Sequence, residues 1–287
     1  MVFLGMGVNK IVITTTVGLL LLVALIYSVA ERKVDEIEAA YSPVKIQKTW
    51  KLPKILAEIS GLAYLEEDKV VAVQDEQGKL YIYNLSSEKI EKEIGFAGRG
   101  DYEEVAIHED AAYVLLSDGS IIKIDNYLSS PEVSTIETSL NQDADTESLC
   151  LDKKNKRLLI GVKEEDPSGG EIKGIYALPL NTLKMQAEPI FGINMNDTVF
   201  KDIRGDKAKN TFKPSGMNIH PKTGEIYIVD GAESRLLILD AQGNPRQLYF
   251  LNKEEFPQPE GLTFDASGNL FISSEGSPGS IHRVSLN

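Results

Sequence analysis

From residue 58 onward the chain alternates short apolar runs with polar turns, and the alternation recurs. Stretches such as "KLYIYNL" (79–85) and "RLLILD" (235–240) are rich in β-branched, aromatic and leucine side chains. Runs of about five to seven residues, punctuated by Gly, Asp and Asn, predict antiparallel hairpins rather than helices. The turns between them include "HPKTGE" (220–225) and "DASGN" (265–269). Five segments share this order of apolar run, turn, apolar run, turn and alternating strand, and they start at Glu58, Asp101, Asp145, Lys213 and Gln258.

Equivalent positions at the first strand of each unit are Ser60, Glu103, Glu147, Ser215 and Glu260, spaced 43, 44, 68 and 45 residues apart. A period near 44 is the length of a four-stranded propeller blade. The long interval holds about 23 residues more than one blade, and "GINMNDTVFKDIRGDKAKNT" (192–211) is the polar insertion that accounts for them. Five blades follow, or six if that segment hides a degenerate unit. The last unit stops after three strands at Asn287, and "PVKIQKTWKL" (43–52) has the strand character to supply the fourth. The expected fold is therefore all-β: a five-bladed propeller of four-stranded antiparallel blades, closed into a ring by an N-terminal strand so that no edge stays open.

Ahead of the repeats, residues 11–30 carry no charge over 20 positions, the length a helix needs to cross a bilayer. Residues 1–30 read as a transmembrane anchor, with a cleaved signal peptide as the alternative because Ser28 and Ala30 fit a small-x-small site. Lys10 on one side and Glu31, Arg32 and Lys33 on the other leave the orientation open. Residues 31–42 read as a polar tether, and residues 43–287 as the propeller.

Composition narrows the chemistry. With 43 acidic and 30 basic residues the formal charge is −13, which argues against nucleic acid or an anionic lipid surface as the main partner. Cys150 is the single cysteine, so there is no intrachain disulfide and no thiolate metal site; in "ESLCLD" it reads as a small core hydrophobe. His108, His220 and His282 do not cluster, and they read as solvated surface.

The strand-opening glutamates carry the main chemical signal. The first strand of a propeller blade lies beside the central channel, so Glu103, Glu147 and Glu260 should converge at one mouth, with Ser60 and Ser215 between them. Like charges ~4 Å apart cost roughly 1 kcal/mol in water and about 4 kcal/mol at an intermediate dielectric. A hard cation removes that cost, and calcium, which takes about 6–8 oxygen ligands, suits carboxylates better than magnesium does. The competing role is structural: each glutamate accepts backbone amides of the next blade. Both fit the repeat; a bound cation is the expectation. A second acidic set, Asp75, Asp118, Glu164, Asp230 and Glu275, lies near the end of each second strand and is expected at the opposite mouth or in turns.

"FKPSGMNIHPKTGEIYIVD", "QPEGLTFDASGNLFISSEG" and "GDYEEVAI" resemble the SdiA-regulated, YjiK-like bacterial proteins, and the resemblance runs from about residue 58 to the end. It implies a five-bladed propeller distantly similar to NHL-repeat proteins, a calcium site to which Glu103, Glu147 and Glu260 correspond, and a role in protein–protein interaction without an established enzymatic activity. It also places a single-pass protein in a bacterial membrane, with the propeller on the extracytoplasmic, periplasmic side. The expected function is a membrane-tethered, calcium-binding scaffold whose protein partner is unknown. The alternative is a calcium-dependent propeller hydrolase of lactonase or esterase type, with Asn218 as its helper; a phosphatase, for which Lys213 is the only basic strand-opening neighbour, ranks below it.

Overall fold

The computed structural model describes residues 21–23, 25, 43–66, 68–203 and 211–286. The chain divides into two units, Met1–Pro43 and Val44–Asn287. The described part of the first unit consists of Pro43 and of Leu21, Leu22, Val23 and Leu25, which are helical; the rest of the apolar run at 11–30, and the tether at 31–42, lie outside the described residues. Among the described residues no helix is long and apolar enough to cross a membrane.

The second unit is a ring of five four-stranded antiparallel sheets. Blade 1 contains β2 (Ile59–Tyr64), β3 (Lys69–Gln74), β4 (Gln77–Asn84) and β5 (Lys89–Arg99), and blade 2 contains β6 (Tyr102–His108), β7 (Ala111–Leu116), β8 (Ile121–Asp125) and β9 (Glu132–Ile136). Blade 3 is formed by β10 (Thr146–Asp152), β11 (Arg157–Val162), β12 (Ile172–Pro179) and β13 (Phe191–Asn194). Blade 4 holds β14 (Pro214–Ile219), β15 (Ile226–Asp230), β16 (Arg235–Leu239) and β17 (Pro245–Phe250). Blade 5 combines β18 (Gln258–Phe264), β19 (Leu270–Glu275) and β20 (Ser280–Leu286) with β1 (Val44–Lys51) from the start of the unit.

That last pairing closes the ring. β1 runs antiparallel to β20 from Val44 opposite Leu286 to Lys51 opposite Ser280. Trp50 reaches across the seam: its indole N–H donates to the Leu85 carbonyl of blade 1 at 2.6 Å, and its ring packs against Phe271 of blade 5 at 5.9 Å. Burying a tryptophan whose one polar atom is satisfied gives the seam both apolar area and direction.

The core lies between blades rather than within a single centre. Val71, Val73, Leu80 and Ile82 of blade 1 pack on Val105, Val114 and Ile124 of blade 2, and a comparable cluster fills each of the other four junctions. Alternation along each strand sends successive side chains to opposite faces, so one strand feeds two junctions. Cys150 is buried in the cluster between blades 3 and 4.

The insertion expected at 192–211 is partly strand. Gly192, Ile193 and Asn194 belong to β13, and the chain then passes through a one-turn 3₁₀ helix, Thr198–Phe200. Met195, Phe200 and Phe212 are buried in the blade 3–4 cluster, which fastens the segment to the ring. Residues 204–210 lie outside the described residues. The three histidines also depart from the surface reading, His108 being half-buried. His282 is 2% exposed, because β1 covers its strand from outside; Thr49 Oγ1 lies 3.0 Å from its Nδ1 and Ser280 Oγ 2.8 Å from its Nε2. His220 is half-buried, with its ring edge-on to Phe264 at 5.0 Å.

Candidate functional site

Each inner strand carries a β-bulge at the same place. The register slips between Ile59 and Leu62, Tyr102 and Glu104, Thr146 and Ser148, Pro214 and Gly216, and Pro259 and Leu262. The residues left without a ladder partner include Ser60, Glu103, Glu147, Ser215 and Glu260, the five equivalent positions of the repeat. A bulge re-aims a side chain out of the alternating pattern, and here it does so five times around one axis.

The residue after the bulge explains the "SGL", "SGM" and "EGL" openings. A Cβ on Gly216 would meet the Glu260 carbonyl oxygen at 2.0 Å, and one on Gly61 would meet the Glu104 backbone at 2.6 Å. At these glycines the neighbouring inner strand approaches so closely that a Cβ has no room. In blade 2 this position is occupied by Glu104 instead, and that carboxylate fills the space above Gly61. Its Oε1 accepts the Leu62 amide of blade 1 at 2.8 Å and the Val105 amide at 2.9 Å; Oε2 is buried without a partner. Burial pushes the Glu104 carboxyl well above the usual range. The blade-to-blade role that the sequence left open for the strand-opening glutamates is thus performed by their neighbour.

Glu103, Glu147 and Glu260 stand at the same bulge near the start of three inner strands, and the charge of Glu260 bears on both of the others. Burial first, then the charges of Glu147, Asp101 and Glu260, push the Glu103 carboxyl up to about 9. Glu147 is pushed up to about 8 by burial and by Glu260, against the pull of Lys163. Glu260 reaches about 7, burial outweighing hydrogen bonds from Gln258 and Ser215. Ser60 and Ser215 complete the ring of five; the Ser215 hydroxyl accepts the Gly231 amide at 2.9 Å and faces the Pro259 carbonyl at 3.0 Å, which ties blade 4 to blade 5.

Of the second acidic set, Asp75, Asp118 and Glu164 lie in turns, as expected, but the set is not at the opposite mouth. Because β19 returns antiparallel to β18, Glu275 lies opposite Gln258, and Gln74 lies opposite Ile59. The ends of the second strands therefore belong to the same mouth as the starts of the first. Glu275 is pushed up to about 7 by burial and by Asp75, Glu58 and Glu147, and Asp75 is raised in turn. Asp230, by contrast, lies 3.6 Å from Arg235, Glu164 pairs with Lys213, and exposed Asp118 caps its own turn at Ser120.

Among the described residues, one cation enters this cluster. Lys163, at the end of β11, forms an ion pair with Glu147 and stands 3.9 Å from Asp145. Buried Lys173 holds the segment in place by donating to the Lys163 and Glu164 carbonyls. Nothing in the repeat marked Lys163, since it lies outside the first strand. Even with that ammonium the carboxyls are kept from ionising together, and Glu147 Oε2 is buried without a partner. Oxygen is the only donor type in the cluster, which suits a hard cation. Among the described residues, no group of three or more His, Cys, Asp or Glu stands close enough together to hold a metal ion as the side chains are placed.

The SdiA-regulated family model matches residues 37–280. No curated protein matches the chain. Among solved structures, the glutaminyl cyclase of Myxococcus xanthus superposes with a TM-score of 0.58 at 16% identity, covering 85% of this chain and 96% of that one. A PQQ-bound aldose sugar dehydrogenase from Streptomyces coelicolor gives 0.50 at 12% identity, over 85% and 98% of the two chains. A luciferin-regenerating enzyme gives 0.50 at 15% identity, over 83% and 95%. At these identities the likeness is one of fold alone. With the matched region spanning all five blades, the chain belongs to the SdiA-regulated family.

Proposed function

We propose that this propeller is a calcium-binding scaffold, with the cation at the glutamate mouth and residues 11–30 tethering the ring to a bacterial membrane on its periplasmic side. The observation that carries the calcium reading is the crowding of carboxyl groups at that mouth, which burial and neighbouring charges keep from ionising together. Glu103, Glu147 and Glu260 are forced together by five equivalent bulges, and Lys163 offsets one charge of the three. A divalent cation neutralises the remaining two.

Glu103, Glu147 and Glu260 would hold the ion, with carbonyl oxygens or water completing a shell of about 6–8 ligands. Bound calcium supplies positive charge that lets the three carboxylates ionise together. Ser60 and Ser215 keep the rest of the ring neutral, and Glu104 fixes the spacing of the first two blades. In this reading the site locks the inner strands and leaves the outer faces of the blades for a protein partner.

The hydrolase reading needs a helper beside the ion, and its candidates are engaged elsewhere. The Asn218 amide donates to the Leu262 carbonyl at 3.2 Å and accepts the Ile219 amide at 2.8 Å; it faces a cavity at the other mouth. Lys213 is paired with Glu164. Metal analysis of the full chain, purified without chelator, tests the proposal: about one calcium per chain supports it, and a metal-free chain that gains no thermal stability from added calcium removes it.

A further inference from the structure

The mouth opposite the glutamates opens into a cavity of about 580 Å³. It is lined by the second halves of all five inner strands, from Ala63–Tyr64 round to Thr263–Phe264, and extends along the junction of blades 3 and 4 to Phe191 and Ala241. That volume lies within the ~300–1,000 Å³ of small-molecule sites.

Its walls and rim differ in chemistry. Tyr64, Ile107, Phe191, Ile219 and Phe264 make the walls apolar and partly aromatic. At the rim stand Lys153 and Lys154, in the turn after β10, and Lys222, in the turn after β14. All three are exposed, and none takes part in an ion pair among the described residues. Asp152 is the single carboxylate in the lining. It is already engaged: Oδ2 accepts from Arg157 Nε at 2.8 Å and from Asn155 Nδ2 at 2.6 Å. A chain of net charge −13 thus gathers three uncompensated ammonium groups around one apolar hollow, on the side away from its acidic mouth. Clefts lined by one sign of charge and low-dielectric walls concentrate ligands of the opposite sign.

We propose that this second mouth binds small organic anions, with an apolar or aromatic body in the cavity and a carboxylate or phosphate head at the lysine rim. The site is independent of the cation at the other mouth. Asn218 and Thr263 give the floor its polar groups, and both also tie neighbouring inner strands: Asn218 reaches the Leu262 carbonyl, and Thr263 Oγ1 accepts the Tyr64 amide at 2.9 Å. The floor is therefore held rigid before a ligand arrives, which lowers the cost of binding.

Fluorescence titration of the full chain with 1-naphthyl phosphate, 1-naphthol and 1-naphthylmethylamine tests the proposal. The phosphate should bind at least about tenfold more tightly than the neutral alcohol and more tightly still than the amine. The triple substitution Lys153→Glu, Lys154→Glu and Lys222→Glu should remove that preference at an unchanged thermal midpoint. Ala241→Trp, at an exposed turn position lining the cavity, leaves the lysines in place and should block all three probes. Equal affinity for the phosphate and the alcohol overturns the proposal, as does phosphate binding that survives Ala241→Trp, or no phosphate binding at millimolar concentration.

Discussion

Glu104 Oε1 accepts the backbone amide of Leu62 at 2.8 Å, across the junction of blades 1 and 2. The same oxygen accepts Val105 N at 2.9 Å, so one carboxyl group satisfies two buried donors where the other inner strands carry Gly or Ser. Glu104→Ala orphans both amides and opens a gap above Gly61. Each unsatisfied buried donor costs about 1–3 kcal/mol, so the alanine variant should lose about 2–6 kcal/mol of stability in chemical denaturation. Glu104→Gln keeps the accepting oxygen and carries no charge to bury, and it should unfold at or above the wild-type denaturant midpoint. Equal losses in the two variants would show that the oxygen is not what matters.

Close approach of inner strands predicts an asymmetry among glycines. Gly216→Ala sets a Cβ at 2.0 Å from the Glu260 carbonyl oxygen, whereas nothing lies within 4 Å of a Cβ at Gly95. The first substitution must push blades 4 and 5 apart and displace Glu260. A loss of more than about 2 kcal/mol, the range of overpacked or strained sites, is expected there. Gly95→Ala should change stability by less than about 1 kcal/mol. Circular dichroism melts of the two variants compare them directly.

His282 makes the closing seam sensitive to acid. Burial lowers its pKa from 6.5 to about 4, so the folded seam rejects a proton that the unfolded chain takes up. Above pH 6.5 both states hold a neutral ring and the group adds no slope. Between pH 6.5 and 4 the unfolded state is increasingly favoured, by up to about 3 kcal/mol at the lower limit. The difference in stability between wild type and His282→Asn should therefore shift in favour of the variant as pH falls through that window. A constant difference from pH 7 to pH 4 would contradict the buried neutral ring.

Much of this architecture is written in local patterns. The strand runs, their turns and the period near 44 are local signals, so the five blades and the β1 closure could be read directly from the chain. Glu275 and Asp75 stand at the glutamate mouth and not the opposite one because an antiparallel second strand ends where the first begins. Glu104 was hidden beside Glu103, since a bulge, invisible in sequence, decides which of two adjacent glutamates turns to the channel. Lys163 and the lysine-rimmed cavity arise from separate strands and turns that only the closed ring assembles. His282 read as surface because its burial depends on β1 arriving from the far end of the unit.

Isothermal titration of calcium into the full chain, wild type against Glu103→Gln/Glu147→Gln/Glu260→Gln, tests the central claim most directly. Protons compete with metal for carboxylates, and the three groups hold theirs up to about 9, 8 and 7 in the absence of an ion. The wild type should bind one calcium, more tightly at pH 8.5 than at pH 6, and the triple variant should bind none while remaining folded. Calcium binding of equal stoichiometry and affinity in both chains would contradict the account.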